Sequence, residues 1–322
     1  MLHWSLETLE MDLKFTWKIS RGSTSRKINY IVHVEENGIK AMGEVAGITQ
    51  AEASAGLIPK QYSQVSLDGV TDPTDINKLD ICAPLAFGLE SALIHLRAKQ
   101  KGQSVPHYLG LEEIHKVPTS ISLPILPLDE IAEFMKFQRV EHFPCCKIKV
   151  GQEKPIESCL EVAKHFAGPL RIDANEALQN CEDVLHFIDG IKHLNIEFLE
   201  QPMASHLVEE YKKLKPLSPI PIIADESLQQ QKVDAELARQ FHGINVKLMK
   251  TGGYLKAREQ IQAAKHMGLN VMLGCMVETS LAIRSAIYIG QDVDWFDLDG
   301  FLFFKEEPFG LVQEKNGYLT IE

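Results

Sequence analysis

The sequence predicts an α/β protein, a (β/α)8 TIM-type barrel preceded by an N-terminal α+β capping domain. After Pro118, short apolar segments alternate with amphipathic helical segments through eight units. Such alternation is typical of a parallel sheet with crossover helices, and eight units close naturally into a barrel. Between residues 11 and 45 the pattern is instead that of strands broken at Asn37-Gly38, a dipeptide typical of hairpin turns. The two halves of the prediction therefore rest on two different periodicities.

The eight strand candidates of the barrel are short apolar stretches at regular intervals. They are residues 119–126, 145–150, 170–175, 196–202, 221–227, 243–250, 270–277 and 294–300. Helices are predicted between most of them, and the first and last connections show the weakest pattern. An open, doubly wound sheet is the structural alternative, but no glycine-rich dinucleotide-binding motif follows the first strand.

The first third of the chain also contains one strong helical pattern. In residues 84–101, leucine and alanine recur at helical spacing, and Gly102 follows the last turn. This combination of strands and a helix predicts a small α+β unit. The predicted domains are a capping domain at 1–115, the barrel with the catalytic site at 116–305, and a C-terminal segment at 306–322 that returns to the cap.

Composition and charge limit the class of protein. The chain has 322 residues, of which 45% are hydrophobic and 24% charged, as in ordinary soluble globular proteins. A net charge of −11 argues against general affinity for nucleic acid or anionic membranes. Glu7, Glu10 and Asp12 stand where a secretory signal would need an apolar core, and no stretch reaches 18 uninterrupted apolar residues. We therefore expect a cytoplasmic protein.

Cysteine and histidine spacing gives no sign of a thiolate or imidazole metal site. The six cysteines are scattered, without a CxxC pair, and the twelve histidines include no HxH or HExxH pair. We expect free, mostly buried thiols, as is usual in a reducing compartment.

Two lysines, Lys147 and Lys149, share the short apolar strand 145–150. Because side chains alternate along a strand, both lie on the same face. Lysine is depleted from strand interiors and almost never fully buried unless it is paired. One interpretation is an edge strand with a solvated face, where lysines discourage aggregation. The other is a functional face inside the barrel.

Three acids, Asp173, Glu200 and Asp225, fall late in consecutive predicted strands. The C-terminal strand ends of a βα barrel line its mouth, so these carboxylates are expected to converge. They would repel each other unless a cation neutralised them, and all-oxygen ligation favours Mg²⁺ first and Mn²⁺ second. The alternative is that the acids cap helices or pair with barrel lysines.

A further lysine, Lys247, is in phase with the strand 243–250 on the opposite side of the barrel, whereas Lys250 is out of phase and is predicted to face solvent or a loop. If Lys149 and Lys247 face the interior, burial and neighbouring cations are expected to lower their pKa and make them bases. Bases on opposite faces of one carbon invert it. With a metal stabilising the enediolate of a carboxylate substrate, this predicts racemisation or epimerisation.

Five motifs in this order, KIKVG, RIDAN, EQP, ADES and NVKLMKTGG, resemble the enolase superfamily, specifically its muconate-lactonising-enzyme subgroup. The resemblance covers nearly the whole chain and implies the modified barrel of that superfamily, with a cap that contributes to substrate choice. It implies these roles: Mg²⁺ ligands for Asp173, Glu200 and Asp225, the acid/base pair for Lys149 and Lys247, and a lysine near the substrate carboxylate for Lys147. Glu176 and Ala177 depart from the Gln-Gly often seen in the family, which affects the rim but not the metal site.

The eighth strand distinguishes between activities of the subgroup. Asp297 and Asp299 alternate, so they share a face at the barrel mouth and form an anionic pocket suited to an ammonium group. They resemble the Asp-x-Asp element with which dipeptide epimerases hold the free α-amine of the substrate. Muconate, succinylbenzoate and N-acyl amino acids have no ammonium group. The alternative is that one aspartate caps a helix and the other is solvated.

The sequence indicates the substrate side chain less clearly than it indicates the metal site. Residues 21–23, RGS, resemble the mobile cap loop of enzymes acting on L-Ala-D/L-Glu, and Arg21 is the candidate partner for the glutamate carboxylate. Arg21 is alternatively a surface residue. Met276, Val277 and Glu278, after strand 7, are expected to face the cap. Glu278 would repel an acidic side chain, so hydrophobic or basic dipeptides stay open.

The leading interpretation is a Mg²⁺-dependent dipeptide epimerase, with L-Ala-D/L-Glu as the first candidate substrate. No nucleic acid or membrane partner is expected, and homo-oligomerisation stays open. An N-acylamino-acid racemase or o-succinylbenzoate synthase would require Asp297 and Asp299 to be incidental. A catalytically inactive binding barrel predicts the loss of at least one motif, and none is lost. An acid sugar dehydratase like mandelate racemase is disfavoured because strand 7 lacks a histidine.

Overall fold

The N-terminal part is a three-stranded antiparallel sheet. The computed structural model describes residues 1–19, 22–47, 56–228 and 232–321. Its first strands are β1 (His3–Ile19), β2 (Gly22–Glu36) and β3 (Ile39–Ala46), in the order β1-β2-β3. Asn37 and Gly38 join β2 to β3 with positive φ angles of 52° and 78°, the geometry that a two-residue hairpin turn requires. The predicted hairpin is confirmed.

One long helix covers this sheet. After α1 (Leu57–Gln64) and a 3₁₀ turn at Pro73–Lys78, helix α2 (Ala83–Gln100) buries nearly its whole length. Glycine allows the close approach, because a Cβ at Gly43 would overlap the backbone carbonyl of Gly88 on α2. The helix predicted at 84–101 is confirmed, and a short helix α3 (Val105–Tyr108) follows it.

Eight parallel strands follow, as predicted, in sequential order around one sheet. After β4 (Lys116–Pro118) they are β5 (Ser120–Leu123), β6 (Cys145–Lys149), β7 (Leu170–Asp173), β8 (Ile196–Glu200), β9 (Ile222–Ala224), β10 (Gly243–Lys247), β11 (Asn270–Gly274) and β12 (Trp295–Asp297). The ends β5 and β12 meet through side chains, because Ser122 N donates to Asp299 and Leu298 N donates to Thr119 Oγ1. The barrel is confirmed, and the open-sheet alternative is wrong.

The connections are mostly helical. They are α4 (Ile131–Gln138), α5 (Pro155–Ala163), α6 (Cys181–Ile191), α7 (Val208–Leu217), α8 (Ala235–Gln240), α9 (Leu248–Thr251), α10 (Tyr254–His266) and α11 (Ser280–Tyr288). A 3₁₀ turn, Gly300–Phe303, replaces a helix after β12.

The C-terminal residues form a hairpin, β13 (Gln313–Lys315) and β14 (Tyr318–Thr320), which pairs with β4. That strand lies at the predicted junction of cap and barrel, and the domain boundaries stay a prediction. None of the six cysteines, all of which lie in the described ranges, forms a disulfide bond. Within the described ranges, no helix has both the length and the apolar character needed to span a membrane. A cytoplasmic location stays a prediction of the sequence.

Candidate active site

The barrel brings the predicted polar residues to one mouth. Cross-strand register pairs Lys149 with Asp173 and Asp173 with Glu200, each at the C-terminal end of its strand. Asp225 directly follows β9, and Lys247 ends β10. Because β6 lies between β5 and β7 in the sheet, the edge-strand interpretation of Lys147 and Lys149 is wrong.

The three acids predicted as metal ligands are buried, and two of them contact the ammonium group of Lys147. Asp173, Glu200 and Asp225 are at most 1% exposed. Lys147 Nζ lies 2.7 Å from Glu200 Oε2 and 3.1 Å from Asp173 Oδ2, and Lys149 Nζ lies 2.5 Å from Asp173 Oδ2. Both lysines of β6 therefore reach the same carboxylate, as the strand periodicity predicted.

Asp225 is held by two lysines. Lys247 Nζ lies 3.0 Å from Oδ2 and Lys250 Nζ lies 2.7 Å from Oδ1. The prediction that Lys250 faces solvent or a loop is wrong, because its side chain is buried. Strand β10 ends at Lys247 and the short helix α9 follows, so strand periodicity no longer applies. Residues three apart on a helical turn share a face, which brings Lys250 back to the side of Lys247.

The pKa of Lys247 also differs from the expectation. Burial disfavours the ammonium of Lys247, but Asp225 and Glu200 outweigh burial and raise its pKa above the usual value. The same balance, with Asp297, Glu200 and Asp173 as the acids, raises the pKa of Lys147. Lowered pKa values were expected because neighbouring cations disfavour an ammonium group. In this structure the direct partners of both lysines are acids, which favour it.

The donor set fits a hard divalent cation. It contains three buried carboxylates on adjacent strands, without thiol or imidazole, and the positive charge that balances them comes from lysines. Within the described residues, no three His, Cys, Asp or Glu side chains stand in a metal-binding arrangement. Cation binding would therefore require Lys147 to release Glu200 and Asp173.

Asp297 and Asp299 are both buried at the barrel mouth. Asp297 accepts hydrogen bonds from Lys147 Nζ at 2.7 Å and from Ser120 Oγ at 2.5 Å. Asp299 accepts from the backbone N–H of Ser122 at 2.6 Å. Burial, and next the charge of Asp297, raise the pKa of Asp299 to about 7. The interpretation in which one aspartate is solvated is therefore wrong.

Comparison with known proteins agrees with this geometry. Residues 130–310, more than half of the chain, match the family model described as enolase C-terminal domain-like. An L-Ala-D/L-amino acid epimerase from Flavobacterium johnsoniae is 29% identical over 98% of this chain and 95% of its own. A hydrophobic dipeptide epimerase from Roseobacter litoralis is 30% identical over 96% and 93%.

The chain belongs to the enolase superfamily. A solved structure from this superfamily, the dipeptide epimerase of Enterococcus faecalis complexed with Mg and L-Leu-L-Tyr, is 25% identical with a TM-score of 0.85. It covers 99% of this chain and 96% of its own. The relatives are epimerases, so the predicted class of enzyme, an isomerase, is confirmed at the level of the family.

Of the two residues predicted to contact the substrate side chain, Arg21 and Met276, the structure of this enolase-superfamily member describes Met276. Arg21 lies outside the described residues. Met276 is half-buried in the loop after β11, which begins beside Lys247 and Asp297 because both pair with Gly274. Its place at the mouth follows from this register, and its role stays a prediction.

Several polar residues that bond the site acids were not predicted from the sequence. Asn245 Nδ2 donates to Glu200 Oε1 at 2.7 Å, and its position two residues before Lys247 was the signal that would have found it. Ser120 and Ser122 alternate in β5 in the same way. Gln201, directly after Glu200, gave no such signal, because its contacts depend on the path of the chain after β8.

Proposed function

We propose that this protein is a divalent-cation-dependent dipeptide epimerase that inverts the α-carbon of the C-terminal residue. The observation that supports it most is the placement of Lys149 on β6 and Lys247 on β10. These strands lie four positions apart in a barrel of eight, so the two amines approach the acids from opposite sides. A substrate between them would present one face to each lysine, as two-base proton transfer requires.

We assign the metal site to Asp173, Glu200 and Asp225, with Mg²⁺ first and Mn²⁺ second. When bound, the cation supplies positive charge where negative charge develops on the substrate carboxylate. Lys147, released from these acids, would face the same carboxylate and contribute a further positive charge. These roles are supported by burial, by the oxygen-only donor set and by Mg in the Enterococcus faecalis structure.

We assign recognition of the dipeptide ammonium group to Asp297 and Asp299. An ammonium group there would replace the positive charge that Asp297 now receives from Lys147. It would also favour ionisation of Asp299, whose burial disfavours its charge. Met276 and Arg21 are proposed to contact the substrate side chain. L-Ala-D/L-Glu is the first candidate, and the relatives' names extend to other side chains, hydrophobic ones included.

Deuterium exchange tests this proposal directly. The Mg²⁺-loaded full-length protein is incubated in D₂O with a pooled L-Ala-L-Xaa library, and mass gain is read by mass spectrometry. We expect a subset of dipeptides to gain a deuterium at the α-carbon. Lys149→Ala and Lys247→Ala are each expected to abolish epimerisation, with exchange from a single face surviving in one of them. Lys192→Ala, at an exposed lysine, is the control.

Full epimerisation by either lysine variant would contradict the two-base mechanism. N-acetylated dipeptides provide a second control, because they lack the ammonium group. Equal exchange of free and acetylated dipeptides would remove the proposed role of Asp297 and Asp299 and would favour an N-acylamino-acid racemase.

A further inference from the structure

Each acid assigned to the metal site has one oxygen bonded to a donor outside the proposed reaction. The backbone N–H of Asn175 donates to Asp173 Oδ1 at 3.0 Å. Asn245 Nδ2 donates to Glu200 Oε1 at 2.7 Å. The other oxygens of these two acids face Lys147 Nζ, which lies 3.1 Å from Asp173 Oδ2 and 2.7 Å from Glu200 Oε2. One oxygen of each acid therefore points toward a shared positive charge, and the second is fixed elsewhere.

Asp225 repeats this arrangement. Lys250 Nζ donates to Oδ1 at 2.7 Å, and Lys247, the proposed base, lies 3.0 Å from Oδ2. Three acids that each offer one oxygen suit Mg²⁺, which takes about six ligands in an octahedron at about 2.0–2.1 Å. Ca²⁺ takes about six to eight oxygens at about 2.3–2.6 Å and often binds both oxygens of one carboxylate. The arrangement therefore favours the smaller cation.

Of the three donors, Asn245 is a neutral side chain, so it can be replaced without changing the net charge of the site. It is 1% exposed and packs against Gly274 of β11, where an added Cβ would lie 2.4 Å from Asn245 Oδ1 and 2.9 Å from Nδ2. Glycine thus leaves the space that the amide occupies. Among the described residues, Oδ1 has no hydrogen-bond partner, so the bond to Glu200 is the polar contact that a substitution removes.

We propose that Asn245 is a positioning residue that restricts Glu200 to one metal-binding oxygen, and that the site thereby selects Mg²⁺ over Ca²⁺. The bond from Nδ2 holds Oε1 away from the cation and aims Oε2 at the point that Asp173 also faces. Without this bond, Glu200 is free to turn and offer both oxygens, which adds a ligand that Ca²⁺ accepts and the octahedron of Mg²⁺ does not. The inference rests on the proposed function because it takes these acids as the metal site.

Calorimetric titration of the full-length protein with MgCl₂ and with CaCl₂, after treatment with a chelator, tests this role without depending on turnover. We expect Asn245→Leu, a change of similar size, to weaken Mg²⁺ binding roughly 10- to 100-fold, as for other groups that orient metal ligands. Ca²⁺ binding should weaken less, so the ratio of the two affinities should fall by about tenfold or more. An equal loss for both cations would overturn the proposal, because a purely structural role predicts it. Equal binding of both cations by the unmodified protein would also overturn it.

Gly274→Ala tests the same contact without removing a polar atom. The added Cβ would displace the amide of Asn245, so we expect the ratio to fall in the same direction. Gly243→Ala is the matched control and is expected to preserve the ratio, because its Cβ would meet Asn270 O at 2.7 Å, at the end of β10 opposite to Lys247. Thermal melting shows whether each variant folds. If Asn245→Leu does not fold, an unchanged ratio in Gly274→Ala would overturn the proposal.

Two further measurements separate this proposal from the proposed function. Glu200→Gln is expected to abolish tight Mg²⁺ binding, and unchanged binding would contradict the metal site and with it the role of Asn245. Deuterium exchange by the unmodified protein on the dipeptide library tests the epimerase. Exchange together with an unchanged ratio in Asn245→Leu would overturn the positioning role and leave the epimerase intact. A reduced ratio without exchange would support the positioning role and contradict the epimerase.

Discussion

At the scale of single residues, the candidate site is a balance of buried charges. Asp225 is 1% exposed and is paired with Lys247 on one oxygen and Lys250 on the other. A buried carboxylate depends on such partners, because taking a charge out of water costs several kcal/mol that only close opposite charge repays. Lys250 thus supplies one of the two positive charges in direct contact with Asp225.

We expect Lys250→Met to destabilise the metal-free protein by about 3–5 kcal/mol, the usual effect of removing one partner of a buried pair. Mg²⁺ should recover part of this loss, because a cation on Asp225 replaces the missing positive charge. The melting temperature of the variant should therefore rise more with Mg²⁺ than that of the unmodified protein. The control is Lys215→Met, since among the described residues Lys215 donates to a neutral group, the carbonyl oxygen of Ala238, and forms no ion pair. Identical Mg²⁺ shifts in all three proteins would contradict this account.

At the scale of elements, the strand ends that carry the acids are fixed by the turns that follow them. Asn175, Glu176 and Gln201 have positive φ angles of 42°, 67° and 35° without being glycine. These conformations cost free energy and persist where surrounding contacts impose them, typically at functional sites. All three residues follow a strand that ends in a proposed metal ligand.

Gln201 links two of these strand ends. Its Oε1 accepts from the backbone N–H groups of Asp225 at 2.9 Å and Ser227 at 3.1 Å. Its Nε2 donates to Ser227 Oγ and to Tyr211 Oη, each at 2.8 Å. The glutamine of the EQP motif therefore joins the end of β8, where Glu200 lies, to the start of the turn that holds Asp225.

Replacing Gln201 by leucine would leave two buried backbone N–H groups without an acceptor, at about 1–3 kcal/mol each. We expect lower stability in urea and weaker Mg²⁺ binding by calorimetry, roughly 10- to 100-fold, as for other groups that orient metal ligands. Gln240→Leu is the matched control, because Gln240 is also buried and, among the described residues, its side chain donates to the carbonyl oxygen of Glu236 and not to a strand end. Weaker Mg²⁺ binding in both variants would show that the effect is not specific to the strand ends.

At the scale of the whole molecule, buried acids of the cap dock it on the barrel. Glu90 on α2 accepts from the backbone N–H groups of Tyr254 and Leu255 at the start of α10. A Cβ at Gly253 would overlap this carboxylate, which explains the second glycine of the KTGG motif. His95, also on α2, bonds Tyr254 Oη at 2.8 Å.

Burial raises the pKa of Glu90 to about 8 from a usual value of 4.5. At a pH between these two pKa values, Glu90 therefore keeps its proton in the folded state and has lost it in the unfolded state. The contribution of Glu90 to stability is full below the lower value and is lost as pH rises through the upper one, by at most about 1.4 kcal/mol per pH unit. We expect Glu90→Gln to show a flatter loss of stability between about pH 5 and 8 than the unmodified protein.

Urea unfolding across this pH range measures the difference. Glu182→Gln, at an exposed acid on α6, is the control and should keep the original pH dependence. If Glu90→Gln showed the same slope as the unmodified protein, Glu90 would be charged in the folded state, and docking would depend on its carboxylate instead of the neutral acid.

The sequence by itself determined the barrel, the eight strands and the residues at their C-terminal ends. Strand alternation, and the position of an acid late in each of three consecutive strands, are local properties of the chain, so they can be read without knowledge of distant contacts. For this reason Lys147, Lys149, Asp173 and Glu200 were predicted together and lie together.

The tertiary structure alone decided how the charges are paired and how the cap meets the barrel. Lys250 was misplaced because the strand ends at Lys247, three residues earlier than predicted. The raised pKa values of Lys147 and Lys247 depend on acids from neighbouring strands. Glu44 and Thr279 are 235 positions apart, and no local pattern predicts their contact. Periodicity fixes the direction of a side chain, whereas its partners, and with them its charge, depend on which elements dock against it.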